Sequence, residues 1–204
     1  MLFYSTVDSA TLELLKNLQK IDAFRNLRLV GGTALALQIG HRKSIDIDLF
    51  GKIFADEYTV SEELARLGEI KIIQKTQHIS VFLINGIKTD LVNYHYPWLE
   101  EEKRSDGLIL AGIKDIAAMK LAAITGRGTK KDFIDLYFLL KQYSLSEMLD
   151  FYSKKYSDGS TFMVLKSLSY FDDAEKDPMP LMISEANWKN IKETLIKHLR
   201  KEFI

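Results

Sequence analysis

Residues 27–50 constrain this chain more than any other segment. Leu27 to Val30 is a short apolar run that reads as a strand. Gly31-Gly32 then breaks it, and Thr33-Ala34-Leu35-Ala36-Leu37-Gln38-Ile39 has the propensity of a short helix closed by Gly40. The chain returns as Ile45-Asp46-Ile47-Asp48-Leu49-Phe50, in which apolar and acidic residues alternate with the period of a half-buried strand. Such a strand sends Asp46 and Asp48 to one face, about 6.5–7 Å apart. A chain with this order of elements must build a sheet with a glycine turn and an acidic face near one another.

The flanking segments fit an α/β domain. Thr11 to Phe24 places Leu14, Leu15, Leu18, Ile21 and Phe24 at helical spacing. Asp56 to Leu67 reads as a helix and Ile70 to Ile73 as a strand. Ile79 to Ile84 and Ile87 to Tyr94 flank Asn85-Gly86, the strongest short-range signal for a two-residue hairpin. Glu100 to Asp106 is a charged stretch, and the sequence beyond it reads as helical or irregular. The expected division is therefore a domain over 1–106 with a mixed sheet and a helical domain over 107–204. In the second, Lys114 to Thr125 and Lys131 to Gln142 are the clearest helices, the latter introduced by a Thr129-x-x-Asp132 pair. A third lies within Leu145 to Tyr156, a short one over Phe162 to Leu168, and Glu185 to Phe203 closes the chain.

Composition removes several chemistries. With 47% hydrophobic residues and 28 Lys+Arg against 28 Asp+Glu, the chain folds rather than stays disordered. No Cys means no disulfide scaffold, thiolate metal site or cysteine nucleophile. No apolar run approaches the roughly 20 residues of a membrane span, and the N-terminus has no secretory features, so a cytoplasmic location is expected. Zero net charge argues against a general nucleic-acid coat and gives no sign of sequence-specific DNA binding.

Acidic pairs two residues apart are expected by chance in a chain with 28 acids, but Asp46 and Asp48 alone sit in a β-rich apolar frame of Ile45, Ile47 and Leu49. Two like charges on a rigid strand need a cation between them, and a pair of Mg²⁺ ions is the usual one; a solvated strand face is the alternative. Gly31 and Gly32 let backbone N–H groups approach an anion at a helix N-terminus, and Thr33 caps that helix or bonds a phosphate oxygen. Phosphate cradle and metal pair together describe a nucleoside triphosphate site. Asp90, the one acid in either arm of the hairpin, is the candidate third carboxylate. Arg42, in the segment just before the acidic strand, suits triphosphate or polynucleotide phosphate; His41 is expected to bond locally.

These residues carry a resemblance. Gly-Gly-Thr, then Asp-x-Asp, then a distant strand carboxylate resembles the polymerase-β-like nucleotidyltransferase superfamily. LVGGTALALQIGHRKSIDIDLF followed by MKLAAITGRGTKKDFIDLYFLL is similar to the AbiEii/AbiGii toxin family of nucleotidyltransferases. The resemblance implies an enzyme with Gly31, Gly32 and Thr33 at the phosphates, metal ligands at Asp46 and Asp48, and later motifs at Lys120 and Asp135. It implies an NTP substrate, an RNA acceptor such as the tRNA 3′ end, and a separate antitoxin protein. A transferase acting on a small-molecule or protein hydroxyl shares all these residues. A non-catalytic antitoxin-like module on the same fold is expected to lose some of them.

Lys120 is also unusual by itself, because Ile116, Ala117, Leu121 and Ile124 surround it on an apolar helix face. Asp135 lies in an equally apolar run, so a buried pair of Lys120 with Asp135, a phosphate contact, or both are open. Arg127, Lys130 and Lys131 cluster between the two helices and read as a solvated loop or a phosphate contact. Tyr94, Tyr96 and Trp98 read as packing rather than base stacking. Trp188 to Lys201 carries five Lys/Arg against one Glu, compatible with tRNA phosphates or with a solvated amphipathic helix.

Overall fold

Asp8 starts the first helix, α1 (Ser9–Leu18), by accepting from the Thr11 backbone N–H, and Leu14, Leu15 and Leu18 form its buried face. The helix stops at Leu18 rather than running to Phe24. Gln19 leaves it to bond both backbone groups of Ile109, at 2.7 and 3.0 Å, and a separate 3₁₀ turn, Asp22–Phe24, carries Phe24 into the core. This is a computed structural model; it describes residues 1–202. Phe203, the expected end of the closing helix, and Ile204 lie outside the described residues.

The chain divides into two units. The first comprises Met1–His95 and Glu101–Ala111, the second Tyr96–Glu100 and the residues from Gly112 on. In the first unit β1 (Arg28–Leu29) leads into α2 (Gly31–Ile39), which ends at Gly40 with φ 73°. β2 (Ile47–Gly51) follows, then α3 (Glu57–Ala65), capped by Asp56, then β3 (Ile70–Lys75), β4 (Ile79–Ile84) and β5 (Ile87–Asn93). Asn85 and Gly86, at φ 51° and 80°, make the expected hairpin turn, with Ile84 opposite Ile87. Two further strands, β6 (Lys103–Ser105) and β7 (Leu108–Leu110), form a second hairpin around Asp106 and Gly107, at φ 52° and 80°. This corrects the expectation that everything beyond the charged stretch is helical or irregular.

The seven strands form one mixed sheet in the order β3-β4-β5-β2-β1-β7-β6. β1 is antiparallel to β2 and parallel to β7, and β2 is parallel to β5. Leu27, Leu29, Leu35, Leu37, Ile47 and Leu49 are all fully buried beside Leu15, Leu18 and Phe24. Ile45 is not part of that frame: it precedes β2 and is 65% exposed.

The second unit is helical: α4 (Ile113–Gly126), α5 (Lys130–Leu139), α6 (Leu145–Lys155), α7 (Thr161–Ser167), the short α8 (Asp172–Glu175) and α9 (Trp188–Lys201). Ser144 and Glu147 form a reciprocal capping box at α6. Phe133 packs against Phe171 and Trp188 at centroid distances of 5.0 and 6.1 Å. No helix among the described residues is long and apolar enough to cross a membrane.

Candidate active site

Nothing larger than glycine fits at position 31. Gly31 has φ +68°, a left-handed conformation that costs other residues free energy, and a Cβ built there would lie 2.2 Å from Oδ2 of Asp48. The Val30 N–H, one residue earlier, donates to the Asp48 carbonyl at 2.9 Å. The start of α2 is thereby pressed against the acidic strand. Its first-turn N–H groups, from Gly31 and Gly32, are the ones an α-helix leaves without intrahelical acceptors, at its positive end. Thr33 does not cap the helix, since Val30 occupies that position without a side-chain bond. Its fully buried hydroxyl instead bonds Ser44 Oγ at 2.8 Å and donates to the Asp46 carbonyl. Thr33 thus ties the glycine turn to the segment that carries the acids.

Asp48 stands directly opposite Asp90 in the parallel pairing of β2 with β5. Parallel neighbours point their side chains to the same face, so the two carboxylates sit side by side, each half-buried, while Ile47 and Leu49 face the core. Asp46 is one residue short of β2 and also half-buried. Asp90 thus lies on the strand next to the one that carries Asp48. Asp90 is gripped by Lys88, whose Nζ lies 2.7 and 2.8 Å from its two oxygens. Among the described residues no three acids or histidines converge into a ready-made metal cage. The chemistry of the donor set nevertheless suits a hard cation: carboxylate oxygens, a backbone drawn close where a Cβ is missing, and an ammonium already bound by one of the acids.

Arg42 is 3% exposed, and one of its guanidinium nitrogens donates to the Lys43 carbonyl at 2.9 Å. That places its stem in the protein rather than in an open groove. His41 is fully buried. Tyr94 is buried against Phe50 at 5.3 Å between rings, the packing expected of it.

In the second unit, Lys120 reaches from α4 to α5, with Nζ 2.6 Å from Asp135 Oδ2 and 2.9 Å from Asp132 Oδ1. Lys120 is 4% exposed and both acids are fully buried. The expected Lys120 and Asp135 pair is thus two members of a triad completed by Asp132. Asp132 also accepts from Arg127 Nε at 3.0 Å and from the Thr129 hydroxyl at 2.6 Å. Burial raises the pKa of Asp132, but the Lys120 charge and the Arg127 bonds outweigh it and hold the carboxyl well below the usual range. Lys130, read as part of a solvated loop or a phosphate contact, is instead 6% exposed, bonded to the carbonyls of Asp177 and Glu175 and lying 5.3 Å from the centre of the Trp188 ring.

Three participants escaped the sequence reading. Asp132 was readable as more than a helix-start residue, because it precedes Asp135 by three and shares its helix face. Lys88 carried a weaker signal, its position two residues before Asp90 on the same strand face. Asp115, fully buried, accepts from the Leu99 and Glu100 N–H groups at 2.9 and 3.1 Å and from Lys155 at 2.6 Å. Within the second unit it fastens Leu99 and Glu100 to α4, and no local pattern marks it.

The chain is similar to several known proteins. The family described as nucleotidyl transferase AbiEii toxin, type IV toxin–antitoxin system, matches residues 13–203. An uncharacterized protein of Aquifex aeolicus (strain VF5) is 36% identical over 199 residues, covering 94% of this chain and 95% of the relative. Among solved structures, MenT4, a nucleotidyltransferase toxin of Mycobacterium tuberculosis H37Rv, superimposes with a TM-score of 0.62 at 14% identity, over 94% of this chain and 82% of that one. JHP933 of Helicobacter pylori gives 0.57 at 20% identity, over 96% and 92%. The two structural likenesses establish the fold, a polymerase-β-like nucleotidyltransferase domain followed by helices.

Proposed function

The chain belongs to the AbiEii nucleotidyltransferase toxin family, and from that premise we propose that it transfers a nucleotide from an NTP to an RNA acceptor, such as the tRNA 3′ end, in a Mg²⁺-dependent reaction. One observation carries the reading: Asp48 lies opposite Asp90 on neighbouring strands while Gly31 is packed against the Asp48 carboxylate. Asp46, Asp48 and Asp90 are the residues that would hold two divalent cations. When bound, such cations neutralise triphosphate charge and favour ionisation of the acceptor hydroxyl.

The chain's own residues supply the rest. The N–H groups of Gly31 and Gly32 donate to phosphate oxygens, favoured by the positive end of α2. Thr33, bonded to Ser44 and to the Asp46 carbonyl, keeps those N–H groups in register with the acids. Asp90 accepts the proton of the acceptor hydroxyl. The acceptor oxygen then forms its bond to the α-phosphorus as the bond to the α–β bridging oxygen breaks, and pyrophosphate leaves with that electron pair. Arg42 stays a candidate for phosphate contact by charge, and Lys120 and Asp135 are assigned to nucleotide or substrate contact by the resemblance. An RNA acceptor is supported by α9, which exposes Lys189, Lys197, Arg200 and Lys201 against Glu193. In this reading the protein acts in the cytoplasm, where NTPs and tRNA are found, and a cognate antitoxin restrains it.

Purified protein incubated with each labelled NTP, Mg²⁺, total RNA and total protein tests the assignment. Label in an RNA band is the expected result. Label in protein or in small molecules moves the acceptor to the other class, and no label with any NTP removes the catalytic reading.

A further inference from the structure

Asp48 and Asp90 face each other across parallel strands whose backbones are about 4.8 Å apart, an arrangement that is unfavourable for two like charges. The sheet answers this with Lys88. It lies two residues before Asp90 on β5, hence on the same face, and its ammonium is held by both carboxylate oxygens at 2.7 and 2.8 Å. Asp46 lies one residue before β2, and Lys88 one residue before Thr89, the partner of Ile47. Asp48, Asp90 and Lys88 therefore share one face of the sheet, at the point where Gly31 is fitted to Asp48.

From this juxtaposition we infer that Lys88 is a built-in counter-ion of the acidic face, seated on Asp90 where a divalent cation would bind and displaced when one does. The inference rests on the metal-site reading above and deepens it. An exposed lysine pair is ordinarily a weak surface contact, worth little to the fold. Here the Lys88 side chain is 41% exposed but Asp90 only 20%, and both oxygens that a metal would use are engaged. An ammonium and a divalent cation draw on the same lone pairs, so the carboxylate serves one at a time. Lys88 is in this sense a positioning residue: it holds the Asp90 carboxylate on the acidic face before metal arrives.

The test compares wild type with K88M, K88Q and K88R, titrating Mn²⁺ by calorimetry and by its electron paramagnetic resonance signal, and recording melting temperature in EDTA and in saturating Mn²⁺. K88M, which keeps the aliphatic stem, and K88Q, which keeps polarity, should each bind Mn²⁺ about fivefold more tightly, since the competing charge is gone. Both should melt below wild type in EDTA and close that gap in Mn²⁺. K88R keeps the charge and should behave as wild type. A Mn²⁺ affinity in K88M and K88Q equal to or weaker than wild type overturns the role of Lys88 while leaving the metal site standing. Wild type that binds no Mn²⁺ overturns both.

Discussion

Gly31 and Asp48 fill what would be one side chain's space: a Cβ on the glycine would come within 2.2 Å of the aspartate's Oδ2 and 3.0 Å of its Cγ. Alanine at 31 therefore faces two penalties, a φ of +68° and a collision with the carboxylate. Gly31→Ala is expected to lower stability by about 1–3 kcal/mol and to push Asp48 out of line with Asp90. Urea unfolding and Mn²⁺ titration check this. A variant that melts and binds metal like wild type would remove Gly31 from the site.

Asp48→Asn separates charge from shape. The amide keeps the side chain's size but ends the opposition of two negative charges with Asp90, so the melting temperature should hold or rise. Transfer should fall by on the order of a hundredfold or more, because several kcal/mol of charge stabilisation is lost with the ligand. Growth inhibition by the expressed protein should disappear with it. Toxicity that persists undiminished in this variant would place the chemistry elsewhere.

What was legible in the sequence was local. Asn85-Gly86 fixed a hairpin, Gly40 a helix end, and the alternation of Ile47, Asp48 and Leu49 a half-buried strand, because each depends on turn chemistry or on a period of two. That strand begins one residue after Asp46. Pairing between distant strands leaves no such trace. That Asp48 meets Asp90 depends on β5 lying next to β2, with β1 on the other side, and nothing within either strand encodes the neighbour. The hairpin of β6 and β7 was hidden by its charges, which are tolerated because β6 is an edge strand with exposed Lys103 and Arg104. A lysine on an apolar helix face announced a buried partner for Lys120. It did not announce two.

The second partner changes what Lys120 can be asked. Lys120→Met takes from Asp135 and Asp132 the ammonium they share, and is expected to cost about 3–5 kcal/mol, as breaking a buried pair does. Adding Asp135→Leu removes one of the two buried charges that lost this ammonium. Asp132 still has Arg127 and Thr129, so the double variant should recover most of the lost stability. Calorimetric unfolding gives the stability, and NTP titration of the double variant decides function. Weak NTP binding in a well-folded double variant supports a phosphate role for Lys120, whereas wild-type binding reduces the residue to a structural one.

The same triad sets an acid dependence whose sign can be worked out. Asp132 has a folded-state pKa below its unfolded value, because Lys120 and Arg127 favour its ionised form more than burial opposes it. In acid the unfolded chain therefore binds the proton more readily, and stability rises with pH wherever that difference persists. The contribution is complete above the unfolded value of about 3.9 and is lost as pH falls from there through the folded value. Asp132→Asn removes this proton-linked term. At pH 7 the asparagine variant should be the less stable protein, since Lys120 loses one of two counter-ions. Between pH 5 and pH 3, values chosen to bracket the unfolded pKa of about 3.9, wild type should lose more stability than the variant, so that their urea midpoints approach one another. Midpoints that fall in parallel over that range would show that Asp132 is not held ionised by its neighbours, and would return the anchoring of α4 to α5 to Lys120 and Asp135 alone.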